Sequence, residues 1–156
     1  MGKLSFLLKA AVCKTLGKEE IQKYIPHREP FLLIDETRVI EDDKYLLGIR
    51  KFTGKEDFFK GHFPSHPVVP GVLILEIMAQ AAAAAIMQGP MFKGKVGFLI
   101  SVDFAKFRKQ VQPGDTLKIP IEVLRVGKLT KIYAEAYTES GLCTEAQLNF
   151  ILGEQQ

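Results

Sequence analysis

The longest apolar stretch of the chain runs from Val72 to Gln88 and predicts one helix. It consists mostly of leucine, isoleucine, methionine and alanine, which a helix accommodates well. Only Glu76 and Gln80 interrupt it, and because they are four residues apart they share one face. A helix that is apolar nearly all round has to be buried, and this run is shorter than the roughly 20 apolar residues that cross a bilayer. We therefore expect the central helix of a globular core.

Downstream of this helix, runs of β-prone residues predict strands. Val96–Phe107 is expected to be one long strand, bent or bulged near 101–103. Alternating apolar residues predict three further strands at 117–123, 131–139 and 144–152. Proline has no backbone N–H to donate, so Pro120 predicts that its strand lies at a sheet edge or carries a bulge.

Upstream of the helix, the pattern predicts one short helix and several strands. Glu19–Tyr24 is expected to be helical and to end before Pro26. Runs of strand composition follow at Phe31–Ile34, Thr37–Ile40 and Lys44–Phe52.

Together these elements predict an α+β fold, in which a mainly antiparallel sheet of five or six strands curls around one long central hydrophobic helix. A sheet has to bury its apolar face against another element. Only Val72–Gln88 is long and apolar enough to serve as that element.

The composition is that of an ordinary globular domain, with 47% hydrophobic and 25% charged residues among 156, and this length suits one domain. The net charge of +3 is too small to indicate a nucleic-acid partner. The two cysteines, Cys13 and Cys143, form neither a disulfide framework nor a metal-binding motif. We therefore expect a reducing, cytoplasmic compartment.

Residues 1–18 contain four lysines and no acidic residue. Lys9 interrupts the apolar core that a signal peptide would need, and no convincing small-residue cleavage site follows. We expect an N-terminal extension, helical or disordered, followed by one domain over residues 19–156. Targeting or membrane contact by the extension is the alternative.

The candidate chemistry lies where a loop leads into the central helix. His62 and His66 belong to the proline-rich segment GHFPSHPVVPG, and Glu76 follows one turn into the helix. An unpaired buried carboxylate is costly, so Glu76 has a partner or is held protonated, in which case it can donate a proton. The plainer interpretations are a Glu76 satisfied by neighbouring donors, a loop-structuring His62, and structural or surface roles for His66 and His27.

Other kinds of site are disfavoured. Prolines separate His62, His66 and Glu76, so these residues lack the spacing of helical metal ligands. The chain has no GxSxG elbow, Gly-rich phosphate loop or dinucleotide fingerprint. We expect neither a metal nor a cofactor.

Three segments carry a resemblance to a known family. In chain order they are IPHREPFLLID, GHFPSHPVVPGVLILEIMAQ and FLISVDFAKFRKQVQPGDTL. They resemble the signature blocks of the β-hydroxyacyl-acyl carrier protein dehydratases of the FabZ type, and the resemblance extends from Glu19 to Leu152. It implies a hot-dog fold, a sheet wrapped around a central helix. It also implies an enzyme of fatty acid biosynthesis that dehydrates a (3R)-hydroxyacyl thioester on acyl carrier protein to the trans-2-enoyl product.

The resemblance further implies roles for individual residues. His62 matches the family's catalytic histidine, which would take the proton next to the thioester. Glu76 matches its catalytic acidic residue, which would protonate or orient the leaving hydroxyl. The free N–H groups at the start of the helix, with Gly71 foremost, would bind the enolate-like oxygen. Gln80 would orient the carboxylate of Glu76.

Residues for substrate and carrier binding are expected around this pair. Phe63 and Phe98 are predicted to contact the acyl group, and Phe98 stands where the family often has a tyrosine. Ser65-His66 differs from the small or basic pair most common at that place. Basic residues that could dock the acidic carrier protein, or simply form a solvated face, are Arg28, Lys106, Arg108 and Lys109.

The resemblance also bears on assembly and on the exact reaction. In the family, the histidine and the acid of one site come from opposite subunits, so we expect a homodimer with shared sites, assembled into a hexamer as a trimer of dimers. Glutamate rather than aspartate at position 76 predicts dehydration without double-bond isomerisation. The alternatives are a thioesterase or enoyl-CoA hydratase of the same fold, and a non-catalytic protein that binds acyl thioesters. Neither a nucleic acid nor a membrane is expected as a partner.

Overall fold

The computed structural model describes residues 2–154, in which seven strands form one antiparallel sheet. In chain order the strands are β1 Lys14–Gly17, β2 Glu36–Glu41, β3 Tyr45–Lys51, β4 Lys95–Phe107, β5 Thr116–Arg125, β6 Leu129–Thr138 and β7 Gly141–Glu154. Across the sheet the order is β1-β2-β3-β5-β6-β7-β4, so β1 and β4 are its two edges.

One long helix, α3 Gly71–Ile86, packs on one face of this sheet and confirms the predicted sheet wrapped around a central helix. Its inward residues are almost fully buried, for example Ile77 and Met78 at 1% and 0% exposure. Two one-turn helices, α1 Lys18–Ile21 and α2 Phe58–Gly61, precede it. No helix within residues 2–154 is both long and apolar enough to cross a membrane.

Small residues let α3 and the sheet approach each other closely. A Cβ atom added to Gly48 of β3 would lie 2.8 Å from the Cβ of Ala81 on the helix. Beside this contact, the buried hydroxyl of Thr37 donates a hydrogen bond to the backbone oxygen of Ala81 at 3.0 Å. A polar contact therefore accompanies the close packing of the helix on the sheet at this point.

The strand predicted at Phe31–Ile34 is wrong, because this segment is an irregular loop. Its backbone groups bond to side chains and to the Arg28 carbonyl instead of a neighbouring strand. The amide of Leu33 donates to Gln80 Oε1 at 2.8 Å, and its carbonyl accepts from Arg50 Nη1 at 3.0 Å. The apolar run still supplies the core, since Leu32 and Ile34 are buried.

One other feature of the sheet differs from prediction. The sheet has seven strands rather than five or six, because β1 pairs with β2 although only one of its residues, Leu16, is buried. Of the two alternatives predicted from Pro120, the second is confirmed: its strand β5 is interior but carries a register shift, between Val123 and Arg125. The predicted irregularity in β4 is confirmed by shifts around Ser101 and before Phe104.

The N-terminal segment covers the sheet face that points away from α3. Ser5–Lys9 forms a 3-10 helix, and Leu4 and Leu7 pack with Tyr133 in a small cluster apart from the main core. Beneath them, the fully buried Glu135 accepts hydrogen bonds from the Leu4 amide at 2.9 Å and from Tyr133 and Tyr137 at 2.6 and 2.9 Å. The carboxylate thus ties this segment to β6.

The division into an extension over residues 1–18 and a domain over residues 19–156 stays a prediction. Within the first range the structure has the 3-10 helix and strand β1. Residues 1, 155 and 156 lie outside the described residues.

We predict that Gly48→Ala destabilises the protein, because the new methyl group would overlap Ala81. Overpacking of this kind costs about 1–3 kcal/mol in the free energy of unfolding, measurable by urea denaturation. Gly17→Ala is the matched control: no atom lies within 4 Å of its added Cβ, and the lower entropy of the unfolded chain favours alanine there. Equal stability of the two variants would contradict the close helix–sheet contact.

Alkaline pH should weaken the N-terminal packing. Burial, followed by the hydrogen bond to Glu135, raises the pKa of Tyr137 to about 12, and the same causes raise the pKa of Tyr133. Tyrosine in the unfolded chain titrates near about 10, so this stabilisation is complete below that pH and lost as the pH rises towards 12. The free energy of unfolding should fall more steeply across that window for the wild type than for Tyr133→Phe/Tyr137→Phe. Parallel pH curves would contradict this.

Candidate functional site

His62 is held so that one ring nitrogen remains free to act as a base. It directly follows α2, and its backbone amide donates to the carbonyl oxygen of Phe58 at 3.0 Å. Its Nδ1 lies 2.9 Å from the carbonyl oxygen of Val68. A carbonyl oxygen can only accept, so Nδ1 carries the proton and Nε2 keeps its lone pair.

The loop around His62 is tied down by its own backbone. The amides of Phe63 and His66 each donate to the other residue's carbonyl oxygen, at 3.1 and 3.0 Å, and the Val68 amide donates to the His62 carbonyl at 2.9 Å. The Phe63 ring stacks on the His62 ring with centroids 4.0 Å apart and is half exposed. His66 points elsewhere, towards Gln110 Oε1 at 3.0 Å. The imidazole of His62 is therefore oriented before any ligand arrives.

Glu76 is the second candidate residue, and only one of its two oxygens is engaged. Gln80 Nε2 donates to Oε1 at 3.0 Å, and His27 Nε2 lies 3.5 Å from the same atom. The side chain of Glu76 is 24% exposed. Within the described residues Oε2 has no hydrogen-bond partner, so it is the oxygen available to a ligand.

Gln80 connects Glu76 to the loop at Phe31–Ile34. It is 1% exposed, and its amide group also accepts from the Leu33 amide at 2.8 Å and donates to the Phe31 carbonyl at 2.9 Å. These bonds leave little freedom for the carboxamide, and the predicted role of Gln80 in orienting Glu76 stays a prediction. The sequence did not reveal that the second anchor is this loop.

The start of α3 borders an open cavity of about 440 Å³. Gly71 is the first residue of α3, and an added Cβ there would lie 2.7 Å from the Phe107 ring, so a side chain at this position would displace that ring. The first amides of a helix have no partner inside it. Arg108 and Lys109 also line this cavity. The region can therefore accommodate a group with a partly negative oxygen.

No hydrogen bond or ion pair joins His62 to Glu76 within residues 2–154 of one chain: the former contacts Val68, and the latter contacts Gln80 and His27. Phe98 lies 52% exposed on edge strand β4.

Strand β4 presents an unusual apolar surface. Its exposed large hydrophobic residues are Phe98, Leu99, Ile100, Val102, Phe104 and Phe107. A strand of 13 residues that is unpaired on one side and apolar along its length is a ready surface for association with another chain.

The four basic residues predicted to dock a carrier protein differ in their surroundings. Arg28 uses its guanidinium to donate to the carbonyl oxygens of Ile25, His27 and Gln22 at 2.8–3.0 Å, which makes it a brace for its own loop. The others are exposed on or just after β4, where Arg108 pairs with Glu145 at 3.1 Å and Lys109 contacts the Ser140 carbonyl.

Within residues 2–154, no three His, Cys, Asp or Glu side chains are grouped so that they could hold a metal ion. Sequence reasoning missed His27, which was assigned a structural or surface role, although its ring faces Glu76. The contact joins residues 49 positions apart, so local sequence carries no signal for it.

Known families and proteins match most of the chain. The family of FabA-like domains matches residues 25–145. The 3-hydroxyacyl-(acyl-carrier-protein) dehydratase FabZ of Desulforamulus reducens is 46% identical over 136 residues, covering 86% of this chain and 96% of the relative. The enzyme of the same name from Bacillus cytotoxicus is 42% identical over 142 residues, covering 90% and 99% of the two chains.

Solved structures share the fold at low sequence identity. The dehydratase heterocomplex ApeI:P from Xenorhabdus doucetiae has a chain that superposes with a TM-score of 0.70 at 17% identity, covering 86% of this chain and 91% of the other. A hypothetical thioesterase with coenzyme A from Streptococcus pneumoniae superposes with a TM-score of 0.52 at 13% identity, covering 74% and 86%. These likenesses confirm the hot-dog fold.

We predict that Gln80→Leu destabilises the protein, because it leaves the Leu33 amide and the Phe31 carbonyl without their partner. An unsatisfied buried group costs about 1–3 kcal/mol in the free energy of unfolding, measurable by urea denaturation. The control is Gln88→Leu, whose side chain bonds an exposed lysine, Lys14, and which should change stability by less than about 0.5 kcal/mol. A Gln80→Leu variant as stable as this control would refute the anchor.

Proposed function

This chain belongs to the family of FabA-like domains, and on that basis we propose that it is a 3-hydroxyacyl-acyl carrier protein dehydratase of fatty acid biosynthesis. The observation that carries the proposal is the Nδ1–Val68 hydrogen bond, which leaves Nε2 of His62 as an oriented base. Relatives named as FabZ dehydratases, 42–46% identical over nearly their whole length, support it.

The proposed reaction needs one base and one acid. Nε2 of neutral His62 takes a proton from the carbon next to the thioester carbonyl. The electrons of that C–H bond move towards the thioester oxygen, and the free amide of Gly71 stabilises the negative charge that develops there. The protonated Oε2 of Glu76 gives its proton to the β-hydroxyl, the C–O bond breaks and water leaves. His62 then carries the proton taken from the substrate carbon and Glu76 is a carboxylate, so transfer of that proton from His62 to Glu76 through water restores both groups.

We propose that each site is shared between two chains. No hydrogen bond or ion pair joins His62 to Glu76 within one chain. In the proposed dimer, His62 of one chain therefore acts together with Glu76 of the second chain. The exposed apolar β4 strand supports a homodimer, because covering Phe98 and Ile100 removes apolar surface from water. Assembly of three such dimers into a hexamer follows from the family resemblance alone.

Substrate selection is proposed to follow from two further features. Phe63, stacked on His62, and Phe98, on β4, would contact the acyl chain. Glutamate rather than aspartate at position 76 favours dehydration without movement of the double bond.

Docking of the acidic carrier protein is proposed at Lys106, Arg108 and Lys109. The last two line the cavity at the start of α3, so a carrier bound there would deliver its thioester to Gly71. Arg28, whose donors are occupied by backbone carbonyls, would contribute only its charge.

The free thiols of Cys13 and Cys143 accord with a cytoplasmic location.

The first experiment is hydration of a crotonyl thioester on acyl carrier protein, followed by loss of enoyl absorbance. His62→Ala and Glu76→Gln should each lower kcat by about 10²–10⁴-fold, the usual effect of removing a general base or acid. The control is His66→Gln, which removes an exposed histidine of the same loop and should retain activity. An inactive wild type that still binds acylated carrier protein would favour the non-catalytic alternative.

The shared site predicts complementation between two inactive variants. His62→Ala and Glu76→Gln chains, unfolded and refolded together, should recover about a quarter of wild-type activity, because half of the dimers are mixed and each of these has one intact site. The same variants refolded separately and then assayed together are the control. No recovery in folded mixed dimers would mean that each site lies within one chain.

A further inference from the structure

His27 faces the candidate acid, Glu76, and has no role in the reaction proposed above. Its Nε2 lies 3.5 Å from Glu76 Oε1, and the two side chains are similarly half-buried, at 25% and 24% exposure. Within residues 2–154, no other charged or titratable side chain lies within ion-pair distance of Glu76. The histidine is therefore its only titratable neighbour.

The loop that carries His27 is built to hold the ring in place. Arg28 Nη1 donates to the His27 carbonyl at 2.8 Å, and the Arg28 carbonyl accepts from the Phe31 amide at 2.8 Å. The His27 ring stacks on the Phe31 ring, with centroids 6.4 Å apart and planes at 19°. The Phe31 carbonyl in turn accepts from Gln80, which donates to Glu76. The two side chains that approach Glu76 Oε1, His27 and Gln80, therefore both contact Phe31.

The second ring nitrogen shows in which form His27 acts. Nδ1 is buried and, within residues 2–154, has no hydrogen-bond partner. Protonating Nδ1 would bury an N–H group without an acceptor, which is costly. Nδ1 therefore keeps its lone pair, and the single proton of a neutral ring lies on Nε2, facing Glu76. In this tautomer His27 presents an N–H group to Glu76.

We propose that His27 is a positioning residue for Glu76, holding Oε1 together with Gln80 so that Oε2 is presented to the substrate. This inference rests on the proposed dehydratase function. A permanent cation at this place would favour the carboxylate form of Glu76, which has no proton to donate. A neutral imidazole orients the group and leaves its proton available.

The test measures kcat and KM of the full-length protein with crotonyl-acyl carrier protein for three variants. His27→Ala should lower kcat about tenfold, within the range for removing a residue that orients a reactive group, and leave KM within about twofold. His27→Gln should restore most of kcat, because its amide offers a neutral N–H donor. His27→Arg should be as impaired as His27→Ala or more, because it supplies a fixed charge. Circular dichroism and gel filtration verify that each variant is folded and assembled.

A double-mutant cycle separates a positioning role from a structural one. If His27 acts through Glu76, His27→Ala should cost less than about twofold in the Glu76→Gln background. Three outcomes would overturn the inference while leaving the proposed function intact. They are an equal loss of kcat in both backgrounds, full activity of His27→Ala, and a folded His27→Gln variant whose kcat is not restored. Absence of turnover by the wild type would instead overturn the function, and the inference with it.

Discussion

The rest of the structure depends on burying a nearly all-apolar helix that carries a carboxylate and a carboxamide on one face. Gln80 makes this possible, because its amide group satisfies Glu76 and the backbone of the Phe31–Ile34 loop at once. Without such a partner, burying these polar groups would cost free energy. The same bonds leave Oε2 of Glu76 free. The hydrogen bonds of Gln80 thus both satisfy buried polar groups and, under the proposal, position Glu76.

The two faces of the sheet have different surroundings: one packs on α3, which carries the candidate acid, and the other packs under the N-terminal segment. One face packs on α3 and supports the candidate site through the Gly48–Ala81 contact. The opposite face buries Glu135 beneath the N-terminal segment, where the carboxylate is surrounded by donors. The two acids therefore differ: the buried Glu135 has both oxygens occupied, whereas the half-buried Glu76 has one oxygen without a hydrogen bond among the described residues.

Edge strand β4 links the fold to the proposed assembly. A single chain leaves Phe98, Ile100 and Phe107 half exposed and keeps His62 and Glu76 without a mutual bond. Under the proposal, a second copy placed along this edge would account for both features. An incomplete site and an incomplete surface on one chain are expected when a site is formed between symmetric subunits.

The sequence by itself determined the elements whose signals are local. These are the central helix, the alternating strands, the irregularity of β4, and His62, Glu76 and Gln80 as the candidate residues, because periodicity and motif spacing are read from neighbouring positions. Tertiary structure decided the rest. Phe31–Ile34 has strand composition, yet Gln80, 47–49 positions away, takes its backbone hydrogen bonds. His27 contacts Glu76 only because this loop folds over α3, and Pro120 is interior because β1–β3 add to its sheet. Contacts between distant segments leave no pattern in the segments themselves.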